Sequence, residues 1–175
     1  MKKYLLFLPT ALYFYLFYGI SQLIDSSSNF PTGSTFLDIL PYLVLTLLTA
    51  ITYLIGLVTL LTSREHTAKS AVIAALLVKI PQLVPLGLLL GGSMVLLCLP
   101  LGILGSIVIW CIVGFVYFAT SIAEAIACFK MWRAGQLSLP LAILLGVCSF
   151  IFVLDYMALL VLLIKLLAKQ PQATA

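Results

Sequence analysis

Apolar residues along this chain come in long runs, not in the alternation of strands or the one-sided stripe of a surface helix. The runs cover residues 4–24, 39–61, 70–99, 101–131 and 137–167 and are interrupted only by isolated polar side chains. A helix needs about 20 apolar residues to cross a hydrocarbon core of about 30 Å, so each run is a candidate membrane span. Between the first two, residues 25–38 gather Ser26, Ser27, Ser28, Asn29, Pro31 and Gly33, which read as a loop. Residues 63–69, with Arg64, Glu65 and His66, make a second polar break, and residues 130–136 a third.

The stretch from Ser70 to Trp132 is long enough for two or three crossings. Pro100 and Gly102, with Gly105 close by, punctuate it best, because proline ends helices and glycine permits a turn. One turn there gives a hairpin of two long helices and five spans in all. A second turn at Gly91-Gly92 would give six, and four is the remaining alternative. The expected fold is therefore all-α: a single polytopic transmembrane helical bundle over residues 1–175, with long hairpin helices that tilt or protrude.

Composition closes off the other classes. Of 175 residues, 64% are hydrophobic and only 8% charged, whereas soluble domains are about half apolar and a quarter charged. The formal charge of +4 is spread over positions flanking the runs, not gathered into the basic patch that nucleic-acid binding needs. The lipid bilayer is the expected environment, and nucleic acid is not an expected partner. Lys2, Lys3, Arg64, Lys69, Lys130 and Arg133 share one side in a five-span topology, against Lys165 and Lys169 on the other. Basic flanks favour the cytoplasm, so a multi-pass protein of the cell membrane with a cytoplasmic N-terminus is expected. Gly19-Ile20-Ser21 has the form of a signal-peptidase site, but the preceding run is long and rich in Tyr and Phe, which favours an uncleaved first span. Tyr13, Phe14, Tyr15, Phe17 and Tyr18 are expected to face lipid and the interface.

The four cysteines, Cys98, Cys111, Cys128 and Cys148, sit in apolar runs without a C-x-x-C pair, and His66 is alone in its loop. Neither a metal site nor a cofactor is expected from them. Protease, hydrolase and P-loop motifs are lacking, so the chain is expected to be non-enzymatic. Small and hydroxylic residues mark packing faces: Thr46, Thr49, Thr52, Gly56 and Thr59 on the second run, and Ala119, Ala123 and Ala127 on the fourth.

Charges inside the runs are the candidates for function, since each is costly in lipid and must find a partner or water. Asp155 is the clearest. A straight helix from Leu137 places it about 27 Å deep, with the hydroxyls of Tyr18, Tyr42 or Ser106 as candidate partners. Three roles are open to it: an interhelical hydrogen bond, proton- or cation-linked transport, or a contact to another protein. Lys79 and Glu124 lie at similar distances from the turn at Pro100, so an antiparallel hairpin brings them level and a salt bridge becomes feasible. Pro81 and Pro85 free helix carbonyls near residues 77 and 81, which a neighbouring helix, water or Gln82 must satisfy.

Lys79-Ile80-Pro81, Ser121 and the segment Phe150 to Asp155 carry a resemblance over residues 67–165. On these the chain resembles small multi-span membrane proteins of Gram-positive, gut-type bacteria. The resemblance implies a bacterial inner-membrane location and brings no activity with it. An accessory or assembly partner of a membrane system is the leading expectation, working beside another membrane protein or as a homo-oligomer. The alternative is a small transporter, or the substrate-binding membrane subunit of one, using Asp155, Lys79 and Glu124.

Overall fold

The computed structural model describes residues 2–26, 35–62, 67–100 and 102–168. A 3-10 segment, Lys2–Phe7, leads into α1 (Leu8–Ala11) and α2 (Tyr13–Ser26). Then follow α3 (Thr35–Thr62), α4 (Ala68–Leu96), α5 (Gly102–Arg133), α6 (Leu139–Cys148) and α7 (Phe152–Ala168). No strand occurs among the described residues. Sequences this apolar leave the backbone no water to bond with, and a helix satisfies its own N–H and C=O groups.

Among the described residues three helices are long and apolar enough to cross a membrane: Ile39–Thr62, Ala68–Leu96 and Gly102–Arg133. Taking the bent pair Tyr4–Ala11 and Tyr13–Ile24 as one crossing gives four. The 29 residues of α4 and 32 of α5 run about 44 and 48 Å at the helical rise, longer than one hydrocarbon core. The surface is inverted relative to a water-soluble fold. Leu88 and Phe115 are 71% and 76% exposed, while Lys79, Glu124 and Asp155 are 2% exposed or less. Long apolar helices with their charges turned inward make this a membrane protein.

The α4–α5 hairpin is the centre of the bundle, and the other elements pack around it. Its turn lies where Pro100 and Gly102 mark it, closed by Leu99 N–H to the Leu96 carbonyl at 2.9 Å and Gly102 N–H to the Leu99 carbonyl at 3.0 Å. Helix α4 passes unbroken through Gly91 and Gly92, so the six-span alternative lacks its extra turn. Thr67 caps the start of α4, its side chain accepting from the Ser70 N–H. Helix α5 ends in a Schellman motif: Gln136 N–H reaches the Met131 carbonyl and Gly135 N–H the Trp132 carbonyl, both at 2.9 Å. Gly135 takes the left-handed conformation that motif requires, at φ 68°.

Two expected spans are not straight helices. The first bends by 51° at Leu12. Pro9 cannot donate into the preceding turn, and the 3-10 segment and the short α1 tuck Phe7, Thr10 and Ala11 into the bundle while α2 follows α3. Gly56 on α3 makes room for this, since a Cβ there would lie 3.0 Å from the Phe7 ring. The last span, expected to be continuous over 137–167, is broken into α6 and α7. Ser149 donates to the Gly146 carbonyl at 2.8 Å. The backbone then tightens, with Phe150 N–H to the Val147 carbonyl at 3.1 Å and Ile151 N–H to the Cys148 carbonyl at 3.0 Å. Serine back-bonding beside a glycine weakens a helix at that point.

Candidate functional site

Helix α5 carries Tyr117, Ser121, Glu124 and Cys128 at offsets of four, seven and eleven, one face of a 3.6-residue helix. That face meets α4 and α7. Lys79 from α4 lies against it, with its Nζ donating to Ser121 Oγ at 3.1 Å and standing 3.3 Å from Glu124 Oε2. The same Nζ donates to Asp155 Oδ1 and sits 4.7 Å from the centre of the Tyr117 ring, within cation–π range. Ser121 passes its own hydrogen to the Tyr117 carbonyl at 2.9 Å. Lys79, Ser121, Glu124 and Asp155 are all buried.

The break between α6 and α7 takes part in this cluster. Asp155 lies in the first turn of α7, where the positive end of the helix dipole favours a carboxylate. Tyr117 donates to the Ser149 carbonyl at 3.4 Å, tying α5 to the break itself. With all three groups ionised the cluster sums to −1. Lys79 supplies one charge to two carboxylates, and it is not shared evenly. Glu124 Oε2 is close enough for Coulomb attraction but lacks hydrogen-bond alignment. Both Glu124 oxygens and Asp155 Oδ2 find no hydrogen-bond partner among the described residues. Buried polar atoms in that state are strongly disfavoured.

Lys79 and Glu124 thus meet, as counting from the turn allows. The partners anticipated for Asp155 are wrong. Tyr18 is 66% exposed, Tyr42 packs on Phe17 with ring centres 4.6 Å apart, and Ser106 donates to the Ser93 and Gly102 carbonyls. Asp155 instead reaches the level of Lys79, which lies eleven residues into α4 or about 17 Å along it. The straight-helix estimate of depth is corrected accordingly.

The proline segment is a separate polar contact one turn further along α4. Pro81 and Pro85 both lie inside the helix. The Pro81 carbonyl, freed by Pro85, accepts from the Tyr15 hydroxyl at 2.9 Å. Gln82 does not play that part, since its Nε2 donates to the Thr10 carbonyl at 2.8 Å. Tyr15 and Tyr13, which bonds Thr46 at 2.9 Å, are interhelical ties as well as lipid-facing aromatics. Replacing Tyr15 with Phe is expected to lower stability by about 1 kcal/mol, read by SDS titration of the purified protein. Tyr18→Phe, at an outward position, should leave it unchanged.

The hydroxyls of Thr46, Thr52 and Thr59 donate to carbonyls of their own helix, which satisfies them within α3. Thr49 is buried in the same stripe. Ala123 and Ala127 are buried against the core, and the Ala119 carbonyl accepts from the Tyr53 hydroxyl at 3.0 Å. An open groove of about 470 Å³ beside Tyr42 and Thr46 and one of about 200 Å³ beside Cys128 and Trp132 do not include the three charges. Among the described residues no three His, Cys, Asp or Glu side chains gather as metal ligands, and His66 lies outside the described residues.

No family model, curated protein or solved structure matches this chain. The Lys79–Glu124–Asp155 cluster is the chain's own pointer to a role. Its supporting members Tyr117 and Ser149 escaped the sequence reading. The spacing of Tyr117, Ser121 and Glu124 on α5 was the signal that could have exposed the first.

Proposed function

We propose that the protein is a non-enzymatic, multi-pass protein of the cell membrane that acts as a small cation-coupled transporter, or as the substrate-binding membrane subunit of one. The supporting observation is the Lys79–Glu124–Asp155 cluster, built from three helices beside the break between α6 and α7. Ionisable groups inside a bundle mark ion and substrate pathways, and broken helices line transporter sites. Five crossings follow if α6 and α7 together make one broken span. In that topology the basic flanks of α4 and α5 face the cytoplasm with the N-terminus.

The test is a thermal-shift screen of candidate small solutes on protein in nanodiscs, followed by uptake of any stabilising solute into liposomes. Gradient-driven uptake retained in Asp155→Glu and lost in Asp155→Asn is the expected result. Absence of any stabilising solute, together with a stoichiometric protein partner in native mass spectrometry, would defeat this reading. It would favour the second one, an accessory subunit. That reading draws on Gly87 and Gly91 of α4, where an added Cβ would meet open space on both residues. Flanked by exposed Leu83, Val84 and Leu88, this face lets another helix approach closely.

A further inference from the structure

We infer that the coupling cation is a proton, and that its binding site is the Glu124 carboxyl where it faces Asp155. The inference rests on the proposed reading of the cluster as an ion site and names the ion. Four observations converge on it. The cluster carries one cation and two carboxylates, so one further positive charge makes it neutral. Asp155 Oδ1 takes the direct hydrogen bond from Lys79 and lies in the first turn of α7, so it already holds the lysine ammonium and faces the positive end of the helix dipole. Glu124 has the weaker hold on the cation and two buried oxygens without a donor. The two carboxyl groups lie within reach of one another, and Asp155 Oδ2 is the third unpartnered oxygen.

One proton removes the excess charge and pairs two of the three orphaned oxygens. A new O–H bond on a Glu124 oxygen, its hydrogen taken from hydronium and leaving water behind, removes the excess charge. It also supplies a donor for Asp155 Oδ2, so two orphaned oxygens become partners. A metal cation of the same charge would want several oxygen ligands around it. Here Lys79 already occupies the space between the carboxylates.

The groups facing Glu124 are Lys79 on α4, Tyr117, Ser121 and Cys128 on its own helix, and Asp155 and Tyr156 on α7. Tyr53 of α3 lies at a nearby level and donates to the Ala119 carbonyl. None of these supplies a second buried cation. Release of the proton leaves a net negative charge beside the α6–α7 break, which gives the site a means of coupling its charge to the position of α7.

Infrared spectroscopy of the full chain in nanodiscs tests this. The probe is the carbonyl stretch of a protonated carboxylic acid, recorded in H2O and D2O at neutral pH. A band that shifts on labelling with carboxyl-13C glutamate is expected, because Glu65 is the only other glutamate and lies in the polar break. The band should vanish in Glu124→Gln, whose amide mimics the neutral acid and should preserve the fold. It should survive 13C-aspartate labelling unshifted. No band at neutral pH, a band that moves with labelled aspartate, or one that persists in Glu124→Gln would overturn the assignment. Uptake driven by a sodium gradient with no such band would refute the proton while leaving cation-coupled transport standing. The glutamate band without any gradient-driven uptake would do the reverse.

Discussion

Lys79→Met is expected to destabilise the bundle by about 3–5 kcal/mol, the usual effect of removing one partner from a buried charge pair. The variant leaves Glu124 and Asp155 buried against each other with no cation between them, and Ser121 loses the donor at 3.1 Å. Asp155→Asn should be milder, at about 1.5–3 kcal/mol, because Lys79 keeps Glu124 beside it as a counter-charge once that carboxyl gives up its proton. The deciding variant removes all three charges, as Lys79→Met with Glu124→Leu and Asp155→Leu. Apolar replacements of buried ion pairs are often neutral or stabilising, so the triple variant should regain the stability of the parent, or exceed it, while losing gradient-driven uptake. SDS-titration unfolding in mixed micelles measures all of these. A Lys79→Met effect below about 1 kcal/mol would mean that the three groups are not buried together. A triple variant that keeps full activity would reduce the cluster to packing.

How far the sequence reaches is visible in this same cluster. The hairpin turn was legible because Pro100 and Gly102 act locally, and from that turn the matching depths of Lys79 and Glu124 follow by counting residues. Asp155 was legible as a costly intramembrane charge, but its partner was not. Its depth depended on a straight helix from Leu137, and the chain breaks at residues 149–151 on signals as slight as Gly146 and Ser149. The proline segment behaves in the same way. That the carbonyl of residue 81 needed a donor follows from covalent chemistry. That Tyr15 supplies it depends on the bend at Leu12, which places α2 at the height of Pro81. Local steric rules carried the elements, and the convergence of three helices on one ammonium is a tertiary event with no local signature.

Gly102→Ala is expected to have the next largest effect, destabilising the protein by about 3 kcal/mol or more, at the upper end of what overpacking does. A Cβ at Gly102 would lie 1.6 Å from the Leu96 carbonyl oxygen and 2.5 Å from its carbon. Those atoms belong to the backbone that closes the hairpin, so no side-chain rotation relieves the contact. The turn must open, and the Leu99 and Gly102 N–H bonds that close it at 2.9 and 3.0 Å go with it. Opening the turn slides α4 along α5, and a slide separates Lys79 from Ser121 and Glu124. Loss of uptake should therefore accompany loss of stability in this variant, although the substitution is remote from the charges. Two glycines of the same hairpin supply the controls. A Cβ at Gly105 would make ordinary contact with Leu96 Cδ1 at 3.7 Å, and one at Gly92 would meet open space. Gly105→Ala and Gly92→Ala should each be neutral or stabilise the helix by up to about 1 kcal/mol. Equal unfolding curves for Gly102→Ala and Gly105→Ala would show that the turn accommodates a Cβ at residue 102 and would refute the close approach to the Leu96 carbonyl.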